Sequence, residues 1–94
     1  MRFKDTVTVI TGAGSGMGRA AAVRLGAEGG AVMCLDLSLD TAEKTAELVR
    51  AAGEKSAAMA CDVRDRAGIE AVRQATVEQF GAVHNIVNSA GALT

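Results

Sequence analysis

The chain contains no proline, tryptophan or tyrosine, and its only aromatic residues are Phe3 and Phe80. Because no proline, repeat or low-complexity stretch interrupts its 94 residues, we expect a single domain over residues 1–94. Ten lysines and arginines are scattered among eleven acidic residues and leave a net charge of −1. This balance, with so few aromatic residues, excludes the basic surface of a typical nucleic-acid-binding protein.

Long hydrophobic runs and paired cysteines are missing as well. The uncharged runs are too short to span a bilayer, and residues 1–5 do not lead into a signal-peptide core, so we expect a cytoplasmic protein without a membrane partner. Cys34 and Cys61 lack the C-x-x-C spacing of a zinc or redox site, so we expect buried reduced thiols and no metal. The single histidine, His84, is expected to be structural or solvent-facing.

Short apolar runs alternate with helical patterns along the whole chain. They predict strands over residues 6–11, 31–36, 56–62 and 85–88. They predict helices over residues 16–28, from Ser38 or Asp40 to Gly53, and from Asp65 to Gly81. The predicted buried stripes are Met17, Ala21 and Leu25 on the first helix, Ala42, Ala46 and Val49 on the second, and Ile69, Val72, Thr76 and Phe80 on the third. The order β-α-β-α-β-α-β indicates an α/β, Rossmann-type doubly wound parallel sheet, truncated after its fourth strand.

A glycine-rich segment, TGAGSGMG over residues 11–18, follows the first predicted strand directly. An NTPase phosphate loop needs Lys and Ser or Thr after its last glycine, but Gly18 is followed by Arg19 and Ala20. The segment also lacks the G-x-G-x-x-G spacing of the standard dinucleotide-binding loop. It matches the spacing T-G-x-x-x-G-x-G instead. A flexible turn is the alternative, but a glycine loop between a strand and a helix favours a nucleotide site.

Each position of the loop has a physical role available. We expect Gly12 and Gly16 to allow unusual backbone angles and close approach of a pyrophosphate, and Gly18 to let the helix pack tightly on the sheet. The N–H groups of Ser15, Gly16 and Met17 are predicted to face the phosphates at the positive end of the first helix.

Polar residues or glycines end every predicted strand, at the edge where doubly wound folds bind ligands. Asp36, with Leu37 beside it, ends the second strand, where a carboxylate accepts hydrogen bonds from ribose hydroxyls and repels a 2′-phosphate. Neither Ser15 nor Leu37 is basic, so we expect NAD rather than NADP. The alternative for Asp36 is a solvated turn residue.

The TGxxxGxG loop, with Asp62-Val63 and the segment Asn88-Ser89-Ala90-Gly91, resembles the short-chain dehydrogenase/reductase family over the whole chain. The resemblance implies that Asp62 binds the adenine amino group and that Val63 adds a backbone contact. It also implies that Asn88, Ala90 and Gly91 steady the sheet and pass beside the nicotinamide ribose. The family commonly has aspartate where His84 stands, which puts one local hydrogen bond in doubt.

The family's chemistry uses a tyrosine, a lysine four positions later, a serine and an asparagine, and this chain has no tyrosine. We therefore predict no catalytic residue here and no turnover by the 94 residues alone. They are expected to be the N-terminal coenzyme-binding part of a longer, homo-oligomeric enzyme that moves a hydride between nicotinamide and an alcohol or ketone. A stand-alone NAD-binding module without catalysis is the alternative. Ile86 and Val87 are expected to form an exposed apolar patch.

Overall fold

The computed structural model describes residues 4–89, in which strands and helices alternate strictly. The strands are β1 (Val7–Thr11), β2 (Ala31–Asp36), β3 (Ser56–Ala60) and β4 (Asn85–Asn88). The helices are α1 (Gly16–Ala27), α2 (Leu39–Ala51) and α3 (Arg66–Phe80). None of the helices in residues 4–89 has the length and apolar character needed to cross a membrane.

The strands form one parallel sheet in the order β3-β2-β1-β4, which confirms the predicted doubly wound α/β fold. The chain builds outward from β1 to β3 and then returns to place β4 on the other side of β1. In the register, Val9 lies beside Met33 of β2 and Ile86 of β4. The strand order therefore reverses at β1, and its carboxyl end opens onto the crevice where such folds bind their ligands.

The sheet has a core cluster on each face. Alternate residues of a strand face opposite sides, so Ile10 and Val9 contribute to different clusters. The cluster under α1 and α2 comprises Ile10, Ala13, Ala22, Val32, Cys34, Ala42, Ala46 and Val49. The cluster under α3 comprises Val9, Met33, Leu35 and Val72. β1 is buried along its whole length, whereas all four residues of β4 are exposed.

The buried face of α1 matches the predicted one only in part, because Ala21 and Leu25 are half-buried against the core but Met17 is not. The buried residues are Gly18, Ala22 and Gly26, and Met17 is 72% exposed. A Cβ atom on Gly26 would lie 2.7 Å from Cγ1 of Val49, so the helix packs through its smallest side chains. Close approach of the helix, rather than burial of its largest residues, sets this face. The predicted stripes of α2 and α3 are buried or half-buried as expected.

The third strand ends at Ala60 rather than at Asp62. Beyond Ala60 the N–H of Cys61 still donates to the carbonyl of Asp36, at 2.9 Å, and the chain then turns. Cys61 is consequently half-buried and outside the strand, whereas Cys34 is fully buried as predicted. Both thiols are free, and burial raises the pKa of each.

Candidate functional site

The glycine loop is a tight turn that leads directly into α1. Gly12 has a φ of 64°, a left-handed conformation that favours glycine. Its carbonyl accepts the N–H of Ser15 at 3.0 Å and the hydroxyl of Ser15 at 2.7 Å. The Ser15 hydroxyl also accepts the N–H of Gly18 at 3.1 Å, which caps the helix. The Ser15 amide therefore already has a hydrogen-bond acceptor within the turn, and its contact with a phosphate stays a prediction.

Gly16 and Met17 form the start of the first turn of α1, where amides have no helical carbonyl to donate to. Gly16 has no positive φ, so its predicted unusual backbone angle is wrong. A Cβ atom on Gly16 would nevertheless meet no described atom within 4 Å. The loop thus presents first-turn N–H groups beside open space, a geometry that suits an anionic group.

Gly18 lies where α1 meets the end of β1. A Cβ atom there would lie 2.1 Å from the carbonyl oxygen of Gly12 and 2.8 Å from Oγ of Ser89. No side chain fits at such distances without moving backbone, so this glycine is required for the helix to approach the sheet.

The ends of β1 and β2 are joined through the carboxylate of Asp36. Its Oδ2 accepts the N–H of Gly14 at 2.9 Å, and its Oδ1 accepts the N–H of Ser38 at 3.4 Å. A backbone hydrogen bond of 2.8 Å from Ala13 to the carbonyl of Leu35 lies alongside. Asp36 is half-buried, and it places a negative charge against the glycine loop. It is therefore not a freely solvated turn residue.

Asp62 lies just beyond β3 and is held by Arg64. Its Oδ1 accepts the backbone N–H of Arg64 at 3.0 Å and the Nε–H at 3.1 Å, and its Oδ2 accepts from Nη2 at 2.9 Å. These hydrogen bonds, chiefly those of the guanidinium, lower the pKa of the Asp62 carboxyl from 3.8 to about 2. Asp62 is therefore an ionised acceptor at neutral pH, as a contact to an amino group requires.

Thr11 connects the end of β1 to the end of β4. Its hydroxyl donates to Oδ1 of Asn88 at 2.7 Å, and its carbonyl accepts the hydroxyl of Ser89. Asn88 thus lies beside the glycine loop, as part of the same edge of the sheet. The remaining two predicted contacts on this segment, Ala90 and Gly91, lie outside the described residues.

Three predicted contact residues are large, apolar and exposed. Met17 and Leu37 are 72% and 73% exposed, and Val63 is also exposed. They follow β1, β2 and β3 respectively, so apolar surface surrounds the polar groups at the carboxyl edge. A ligand that combines charged phosphates with flat rings matches this mixture of surfaces.

Two cavities lie elsewhere, at the amino ends of the strands. Their volumes are about 260 and 550 Å³, and they share Glu54, Lys55 and Phe80 as lining residues. None of the predicted site residues lines either cavity. The candidate site is therefore the open carboxyl edge of the sheet.

A family model described as short chain dehydrogenase matches residues 6–94. The chain belongs to this family. Levodione reductase of Leifsonia aquatica is 45% identical over 92 residues, which cover 96% of this chain and 34% of the relative. The chain therefore spans about a third of the length of the curated relatives it matches.

Solved structures of family members resemble the structure of this chain closely. A short-chain dehydrogenase from Mycobacterium paratuberculosis bound to NAD is 33% identical, with a TM-score of 0.91, over 97% of this chain and 38% of that one. A xylitol dehydrogenase bound to NAD⁺ is 31% identical, with a TM-score of 0.87, over 92% of this chain and 33% of that one. Over the matched residues, this chain therefore has the same fold as those two proteins.

Several groups that shape the site carry little signal in the sequence and were not predicted. The buried Thr45 of α2 donates its hydroxyl to the carbonyl of Ala13 at 2.8 Å and accepts Nε–H of Arg19 at 2.9 Å. Arg19 also donates to the carbonyl of Thr41 at 3.4 Å, so its guanidinium is bound to α2. A buried threonine in a helix is a weak signal. Gly14 is a stronger signal, because it is the loop glycine to which the T-G-x-x-x-G-x-G pattern assigns no role.

Proposed function

We propose that this chain is the coenzyme-binding part of an NAD-dependent oxidoreductase, which in the complete protein transfers a hydride between the coenzyme and an alcohol or ketone carbon. The observation that carries this proposal is the junction of the glycine loop with Asp36, where first-turn amides beside open space adjoin a carboxylate. In this reaction NAD⁺ accepts the hydride and NADH donates it.

The proposal gives each end of the coenzyme its own residues. The N–H groups of Gly16 and Met17 bind the pyrophosphate, with Gly12 and Gly18 shaping the loop. Asp36 and Leu37 contact the adenosine ribose. Asp62 and Val63 contact the adenine. Asn88, with Ala90 and Gly91, lies beside the nicotinamide ribose. The open space at Gly16, the ionised Asp62 and the exposed Met17, Leu37 and Val63 support this assignment.

The preference for NAD over NADP rests on charge. A 2′-phosphate on the ribose would approach the Asp36 carboxylate, and the guanidinium of Arg19 is bound to Thr41 and Thr45 of α2. The structures of family members bound to NAD support the same preference. A cytoplasmic location and a homo-oligomeric complete protein are part of the proposal.

Calorimetric titration of the chain with NAD and with NADP tests the proposal. We expect tighter binding of NAD, and we expect Asp36→Asn to narrow the ratio of the two affinities by about tenfold, because it removes a charged acceptor and a repulsive charge together. Asp40→Asn is the matched control, since Asp40 is an exposed carboxylate on the first turn of α2 that is assigned no contact.

An unchanged ratio in Asp36→Asn would remove Asp36 from the ribose site. We further expect the purified chain to bind NAD without turnover. Formation of NADH from an alcohol by the 94 residues alone would place catalytic groups within them and overturn the prediction of inactivity. If the complete protein also binds NAD but oxidises no alcohol, the stand-alone binding module is the better account.

A further inference from the structure

We infer that Gly14 is a specificity-determining position for the coenzyme, because its amide and its missing side chain together hold the Asp36 carboxylate against the glycine loop. This inference rests on the proposed function. It names the residue that positions the Asp36 carboxylate, which is the discriminating charge between NAD and NADP. Gly14 is a positioning residue that acts through Asp36.

The contacts around Gly14 leave no room for a side chain. A Cβ atom there would lie 2.7 Å from Oδ2 of Asp36, 2.5 Å from Oγ1 of Thr41 and 2.7 Å from Cβ of Thr41. Thr41 cannot move away easily, since it belongs to α2 and its hydroxyl donates to the carbonyl of Ser38 at 3.1 Å. Any residue larger than glycine must therefore displace the Asp36 carboxylate, the start of α2, or both.

The same glycine also orients the carboxylate. The amide of Gly14 donates to Oδ2 and that of Ser38 to Oδ1, one N–H to each oxygen. A carboxylate has about four lone-pair positions, so acceptor capacity remains on both oxygens. Asp36 is thus fixed from two sides while it keeps positions for the hydroxyls of a ribose.

Displacement of Asp36 should affect the two coenzymes unequally. NAD loses an acceptor for its ribose hydroxyls, whereas NADP loses a negative charge close to its 2′-phosphate. A side chain at position 14 is therefore expected to weaken NAD binding and to relieve the penalty against NADP. A glycine that served only to pack the loop would weaken both coenzymes alike.

Gly26 offers a matched control on the same helix that Gly14 precedes. Its Cβ would lie 2.7 Å from Cγ1 of Val49, as close as the Gly14 contact to Asp36, but it lies in the core and touches no group assigned to the coenzyme. Alanine at either position brings its Cβ to 2.7 Å from a side-chain atom, and only at Gly14 does that atom belong to the Asp36 carboxylate.

The test compares dissociation constants for NAD and NADP in the unmodified chain, Gly14→Ala and Gly26→Ala, together with melting temperatures. We expect Gly14→Ala to narrow the NAD:NADP affinity ratio by about fivefold or more, which corresponds to about 1 kcal/mol. Gly26→Ala should lower the melting temperature and leave the ratio unchanged. In the Asp36→Asn background, Gly14→Ala should change the ratio no further, since its effect passes through Asp36.

A second measurement needs no variant of Gly14 and remains available if that variant does not fold. The amide proton of Gly14 should move upfield in Asp36→Ala, as expected on loss of its charged acceptor, and an unmoved resonance would overturn the inference. An unchanged affinity ratio in folded Gly14→Ala would overturn it also, while leaving the proposed function in place. If the unmodified chain bound neither coenzyme, the proposed function and this inference would both fail.

Discussion

Asp62 and Arg64 form a solvent-exposed ion pair. Three hydrogen bonds join the two residues. We expect the Asp62 carboxyl to titrate with a pKa of about 2, and Arg64→Ala to return this pKa toward 3.8. A lowered folded-state pKa stabilises the fold above the unfolded pKa, and this contribution is lost as the pH falls from about 4 to about 2. Carboxyl NMR titration measures both midpoints.

Arg73→Ala is the control for that titration. Arg73 is paired with Glu70 on α3, so its removal takes away an exposed guanidinium without touching Asp62. The Asp62 midpoint should stay low in this variant. If it rose as much as in Arg64→Ala, the low pKa would come from distant cationic side chains and not from the Arg64 hydrogen bonds.

Single residues of the site were predictable where strand position determines them. Asp36 and Asn88 end strands and Asp62 lies just beyond one, so their common edge follows from the alternation of apolar runs. Their partners were not predictable, because a hydrogen bond such as that from Gly14 to Asp36 depends on the path of two separate turns. The Ser15 amide shows the same limit, since only the turn geometry reveals that Gly12 has taken it.

The edge strand β4 is attached to β1 at its start by His84. The N–H of His84 donates to the carbonyl of Val7 at 2.9 Å, and its Nδ1 accepts the N–H of Val7 at 2.9 Å. The imidazole thus supplies an acceptor at the position where the family commonly has aspartate, which removes the doubt about the local hydrogen bond. Because Val7 is only 5% exposed, its amide depends on this acceptor.

We expect His84→Ala to lower the free energy of unfolding by about 1–3 kcal/mol, because it removes the acceptor of the partly buried N–H of Val7. His84→Asp keeps an acceptor at this position and should lose less. Urea denaturation of the two variants measures the difference. Equal losses in both would show that the acceptor contributes nothing and that the histidine acts by packing alone.

Helices differed in how well periodicity predicted their packing. On α2, Ala42, Ala46 and Val49 are buried as their spacing indicates. On α1 the pattern was wrong for Met17 and missed the buried glycines, because hydrophobic spacing gives almost no weight to glycine. The glycine face is buried since only it allows the contacts with Gly12 and Val49.

At the scale of the molecule, the β4 edge of the sheet is left uncovered by the residues that the structure describes. Ile86 and Val87 of β4 are 62% and 37% exposed, as predicted. Parallel register places Ile86 beside Val9 and Val87 beside Ile10, so the two side chains lie on opposite faces of the sheet. Small apolar surfaces border both: Val72 and Val83 near Ile86, and Leu25 near Val87. Apolar surface is thus continuous from the core to solvent on both faces of β4.

This exposure predicts the behaviour of the chain in solution. We expect the 94 residues to bind an apolar dye such as ANS while folded, and Ile86→Thr with Val87→Thr to reduce the bound fluorescence by about half or more, because threonine keeps the strand preference and removes apolar surface. Leu48→Gln is the control, since Leu48 is 47% exposed on α2, away from β4. A similar reduction in Leu48→Gln would mean that the dye reads exposed apolar residues in general. In that case the dye would bind β4 no better than other exposed apolar residues. The apolar surface on the two faces of β4 would then not form a preferred binding site.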